Sequence, residues 1–140
     1  MKIASVVSVF VLALWATSAD AQYCRPDPRP ANPAPAGESC RVQIVDNFNL
    51  NQEASRTVAV ESGKSYWFAA SGCPRMGRIR IAVLDGAGKT LKSDEGYSPS
   101  LCITAKNGGK YTIRVKAVSL TGSYTWGTID ACFSASNCRE

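Results

Sequence analysis

The stretch Arg78-Ile-Arg-Ile-Ala-Val-Leu84 sorts its side chains by turns. Ile79, Ile81 and Val83 fall on one side, while Arg78 and Arg80 fall on the other. A period of two is that of a half-buried β-strand, not of a helix. Lys110-Tyr-Thr-Ile-Arg-Val-Lys-Ala-Val118 repeats the pattern, with Tyr111, Ile113 and Val115 set against Lys110, Arg114 and Lys116. The same reading finds shorter strands at Val42 to Phe48, Thr57 to Val60, Lys64 to Ala70, Lys89 to Lys92, Ser100 to Ala105 and Tyr124 to Ile129. Turn signals separate them: Ser62-Gly63, Asp85-Gly-Ala-Gly88, Asn107-Gly-Gly109 and Thr121-Gly122. No stretch has the spacing of an amphipathic helix. About seven to nine short antiparallel strands predict an all-β sandwich over 40–140.

The chain before residue 40 reads differently. Lys2, the apolar run from Ile3 to Trp15 and the small-x-small triplet Ala19-Asp-Ala21 predict a signal peptide over 1–21. Cleavage near Ala21 removes one Lys and one Asp, so the formal charge of +5 stands. No second apolar run follows, which predicts no membrane span. Residues 22–39 hold Pro26, Pro28, Pro30, Pro33 and Pro35 and read as an extended linker, since proline cannot donate to a sheet ladder. Six Cys remain: Cys24, Cys40, Cys73, Cys102, Cys132 and Cys138. An even count in an exported chain predicts three structural disulfides and a secreted or periplasmic home. Cys73–Cys102 is the first pairing to expect, with Cys40–Cys132 and Cys24–Cys138 nested around it. A local set, Cys132–Cys138 with Cys24–Cys40, is the alternative.

The 140-residue chain has no His, so no Ser-His-Asp or Cys-His site exists within it. Asp94 and Glu95 are adjacent carboxylates, but neighbours on a strand face opposite ways. These facts predict a protein that binds rather than catalyses. Arg78, Arg80, Lys110, Arg114 and Lys116 form an anion-binding face if their two strands share a sheet, extended by Arg75 and Lys64. No cofactor is required, although calcium could use the oxygen-rich run Asp46, Asn47, Asn49, Asn51 and Glu53, or a second cluster around Asp85, Asp94 and Glu95. Asp46, Asn49 and Asp85 are the ligands to expect. Trp67 opposes Tyr66 and Phe68 on its strand, while Tyr124 and Trp126 share a side; all five belong in the core. Gly72-Cys-Pro-Arg-Met76 reads as a cross-linked loop with Arg75 and Met76 at its tip.

Val58-Ala-Val-Glu-Ser-Gly-Lys-Ser-Tyr-Trp-Phe68, Ile81-Ala-Val-Leu-Asp-Gly-Ala-Gly88, Gly109-Lys-Tyr-Thr-Ile-Arg-Val115 and Gly122-Ser-Tyr-Thr125 together resemble bacterial pre-peptidase C-terminal domains. The resemblance spans about residues 40 to 130. It implies a jelly-roll-like sandwich in a secreted protein, in a family that accompanies proteases and whose relatives bind collagen or polysaccharide, sometimes with calcium. The six Cys exceed what that pattern needs, and no peptidase is read within these 140 residues. The expected partner is an anionic polysaccharide or a protein, with no specific nucleic acid. The expected function is a non-catalytic binding module at the cell envelope or outside it. The alternative is a secreted enzyme inhibitor acting through the Cys73 loop.

Overall fold

The computed structural model describes Cys24 and residues 40–140. The signal peptide and Pro-rich readings fall outside the described residues. Eight strands follow in order: β1 (Arg41–Asn49), β2 (Glu53–Val60), β3 (Ser65–Gly72), β4 (Ile79–Leu84), β5 (Thr90–Gly96), β6 (Ser100–Thr104), β7 (Gly109–Ala117) and β8 (Trp126–Ala135). All pairings are antiparallel. One sheet has the order β1-β8-β3-β6 and the other β2-β7-β4-β5. The result is an all-β, two-sheet sandwich.

The alternation read from sequence sets the layers. Ile79, Ile81, Val83, Ile113 and Val115 are all 0% exposed, and Tyr111 is buried beside them. Across the core they face Ile44, Phe48, Phe68, Ile103, Ile129 and Ala131 from the other sheet. Phe133 stacks between Tyr66 and Phe68, its ring centroid 5.9 and 5.8 Å from theirs. A slip of one residue in the β4–β7 pairing would turn either Arg80 or Arg114 into this core, so burial pins the register.

Three strands run longer than their side chains foretell; β2 starts at Glu53 rather than Thr57, because its main chain pairs with β7 from Glu53↔Lys116 onward. β5 continues past Lys92 to Gly96, because its main chain keeps pairing with β4 through Ile79↔Gly96. β8 continues past Ile129 to Ala135, since it is flanked by both β1 and β3 and its ladders extend with theirs. A strand between two partners needs no apolar alternation of its own.

The connections after odd-numbered strands gather at one end of the sandwich, here called the head. The turns β2–β3, β4–β5 and β6–β7 gather at the other end, the base.

Three disulfides join Cys24–Cys73, Cys40–Cys132 and Cys102–Cys138. Cys40–Cys132 agrees with expectation, because β1 and β8 are neighbours. The expected Cys73–Cys102 and Cys24–Cys138 pairings are corrected, and so is the local alternative. Cys102 stands opposite Trp67 in the β3–β6 ladder. Cys73 lies six residues farther along, about 20 Å at strand rise. A disulfide needs Cα atoms within about 7 Å, so the two cannot meet. Three disulfides, with no free Cys among the described residues, fit an oxidising, extracytoplasmic compartment. Among the described residues no helix is long and apolar enough to cross a membrane.

Candidate functional site

β4 and β7 are neighbours, so the basic residues of both share the outer face of one sheet. Register gives that face its rows. Glu53, Lys116, Arg80 and Glu95 lie abreast across β2, β7, β4 and β5. Ser55, Arg114, Ala82 and Ser93 form the next row. Thr57, Thr112 and Leu84 follow, and Lys110 stands beside Ala59 at the base. Arg78 precedes β4 by one residue at the head.

The charges are not all free. Arg80 donates to Glu95 Oε2 from Nε at 2.8 Å and from Nη2 at 2.6 Å. Arg78 Nη2 lies 2.8 Å from the other oxygen, Oε1. One carboxylate therefore orders two guanidinium groups and leaves them one net positive charge. Arg114, Lys116 and Lys110 make no ion pair with a described residue. Small neutral neighbours, Ser55, Ala82 and Ser93, leave Arg114 uncrowded. The five residues read from sequence are thus on one side of the molecule.

The two expected extensions stand elsewhere. Lys64 pairs with Glu61 in the β2–β3 turn, and that hydrogen bond and charge raise its pKa above the usual lysine value. The Arg75 guanidinium lies 4.9 Å from the Tyr124 ring centroid and 4.2 Å from that of Trp126. This corrects the placement of both aromatics in the core. Tyr124 is 53% exposed and Trp126 half-buried, because β8 begins only at Trp126 and Tyr124 belongs to the loop before it. Trp67 is buried, but on the outer face of its sheet, in a hollow beside Cys102, Cys138 and Arg139.

The Cys73 loop also departs from its reading. Met76 is buried instead of exposed at the tip, bridging to Leu120. Its side chain lies so close to Gly72 and Gly127 that a Cβ at either would clash with it. Thr121 ties the loop down, its Oγ1 donating to Pro74 O at 2.9 Å.

The three expected calcium ligands are not brought together. Asp46 and Asn49 lie on β1, whereas Asp85 follows β4 in the other sheet, at the base. Asp46 accepts its neighbour's amide at 2.8 Å, and Asp85 Oδ1 caps its own turn through the amides of Ala87 and Lys89. These are polar turns and strand residues satisfying local amides. Glu95 faces Arg80, while Asp94 accepts the Ser100 amide. No group of three or more acidic or sulfur ligands fit for a metal occurs among the described residues.

Sequence reading missed an open groove of about 740 Å³ at the base. Lys89, Lys92, Lys106 and Lys110 line it, with Leu91, Ile103 and Tyr111 as apolar surface. The local signal was present, for these lysines flank the turns Asp85–Gly88 and Asn107–Gly109. Their convergence depends on the packing of the two sheets.

No family model matches the chain, and no curated protein matches it. Solved structures do. Aeromonas hydrophila PliG, a periplasmic inhibitor of g-type lysozyme, superposes with a TM-score of 0.54 at 13% identity, over 76% of this chain and 94% of that one. TmCBM61, solved in complex with β-1,4-galactotriose, gives 0.42 at 22% identity over 64% and 69% of the two chains. A CBM4 structure gives 0.44 at 12% identity over 69% and 78%. With PliG this chain shares the β-sandwich fold.

Proposed function

We propose that the protein is a non-catalytic binding module that holds an anionic polymer through the outer face of the β2-β7-β4-β5 sheet. The carrying observation is the β4–β7 register, which puts Arg80, Arg114 and Lys116 on adjacent rows with two of the three unpaired. An acidic polysaccharide of the envelope, or one outside the cell, presents the complementary charge. Export through the signal peptide would deliver the protein there. The resemblance to pre-peptidase C-terminal domains, whose relatives bind collagen or polysaccharide, supports the same reading.

Sedimentation tests it. The oxidised mature protein is mixed with cell-wall polysaccharide, lipopolysaccharide or heparin at low and high salt. Binding at low salt should fall as salt rises, because exposed charges are screened. Changing Arg78, Arg80, Arg114 and Lys116 together to Ser should weaken it about tenfold or more. Binding that ignores both salt and substitution, or no binding to any polymer, rejects the reading.

A second reading, an enzyme inhibitor, rests on the head. Arg75 stacked on Tyr124 and Trp126 combines the three residue types most often found as interface anchors. The Cys24–Cys73 bond and Thr121 brace the loop that carries Arg75. Since PliG shares the fold, turnover of a g-type lysozyme is the assay. Slowing by wild type, lost in Arg75→Ala, supports this reading; unchanged turnover rejects it for that enzyme.

A further inference from the structure

We infer that the base groove is a separate binding site for an acidic oligosaccharide. Its charges are what distinguish it. Lys89 and Lys92 come from the β4–β5 side, and Lys106 and Lys110 from the β6–β7 side. The groove has acids of its own, Asp85 and Glu140, held on main-chain amides and outnumbered by the lysines. Asp85 Oδ1 takes Ala87 N at 3.0 Å and Lys89 N at 2.9 Å, and Glu140 Oε1 takes Thr104 N at 2.8 Å. Lys92 Nζ donates to a neutral partner, Cys102 O, at 3.2 Å. Lys89, Lys106 and Lys110 make no ion pair with a described residue, whereas Lys64, Arg78 and Arg80 each do. Like charges gathered around one cleft repel each other, and a cleft focuses their field on an incoming anion.

The lining points to a sugar rather than a peptide. Ammonium groups are flexible point charges that meet carboxylates or phosphates at varied angles and also donate to hydroxyls. Leu91, 41% exposed, offers an apolar patch for a ring face, and Asn107 adds an amide. The edge strands β5 and β6 border the groove, but the β6 edge is already engaged, since Cys102 O accepts from Lys92 Nζ and the Thr104 amide donates to Glu140 Oε1, which leaves little edge for a peptide to extend. The volume lies within the roughly 300–1,000 Å³ typical of small-ligand clefts. Lys110 also stands at the base of the sheet face. From it Arg114 lies about 13 Å along β7, and Lys116 about 7 Å farther. A short chain fills the groove alone; a long one continues up the face, and that extension rests on the function proposed above.

Calorimetric titration with a galacturonate tetramer tests the groove, with a neutral galactose tetramer and poly-glutamate as comparisons. Lys89→Gln/Lys106→Gln should weaken the acidic tetramer at least about tenfold while leaving the melting temperature unchanged. Arg114→Ser should stay within about twofold of wild type. The neutral tetramer should not bind. The inference is overturned if the groove variant binds as wild type does, if poly-glutamate binds as tightly, or if the acidic tetramer does not bind. Failure of the face is separable from failure of the groove. Polymer sedimentation that depends on Arg114 without tetramer binding sinks the groove alone. Tetramer binding through Lys89 and Lys106, with sedimentation indifferent to the face substitutions, sinks the face alone.

Discussion

Gly77 sits against Ser119 with no room between them. A Cβ added there would lie 2.4 Å from Ser119 Oγ and 3.1 Å from Ser119 O. The same serine accepts the Arg78 amide at 2.8 Å, and its carbonyl accepts the Gly77 amide at 2.9 Å. This contact sets the entry into β4, and hence the positions of Arg78 and Arg80. Gly77→Ala should cost about 1–3 kcal/mol of stability, read by urea unfolding, because Ser119 Oγ would have to leave the Arg78 amide and the Ser119 main chain shift by a few tenths of an ångström. Unchanged stability would show that the loop yields. At this scale the sequence told inside from outside only within ladders. Ile79, Ile81 and Val83 were legible from alternation. Met76 was not, because what buries it is Leu120 and Gly127, both far along the chain. Tyr124 was misread because period two has no meaning before β8 begins.

The eight strands were legible as elements, since each short run carries its own alternation or its own bounding turns. Their neighbours were less so. β1 beside β8 followed from the habit of terminal strands to meet, and with it Cys40–Cys132. Cys73–Cys102 fails on which residue of β6 stands opposite which residue of β3, and no local pattern encodes that register. The Cys102–Cys138 bridge fastens the segment after β8 to β6, beside Trp67. Cys102→Ser/Cys138→Ser should free that segment, red-shift tryptophan emission as Trp67 meets water, and cost about 2–4 kcal/mol. Emission identical to wild type would mean that the strands alone shield the indole.

Over the whole molecule, the sandwich and its basic face follow from two alternating stretches that turn out to be neighbours. The groove does not follow, because its four lysines come from the β4–β5 and β6–β7 segments, which only the packed sheets bring together. The exposed aromatics tell a similar story. Tyr97 (70% exposed) and Tyr124 both lie in loops of the head, which strand periodicity cannot place. One covalent consequence remains. Cys24 is bonded to Cys73 and Cys40 to Cys132, so residues 25–39 are closed into the domain at both ends. A protease that nicks the chain within 25–39 should leave both pieces in one molecule. The nicked protein should run as a single band on a denaturing gel without reductant and release the short amino-terminal fragment only with it. Within that segment a severed backbone need not mean a lost domain.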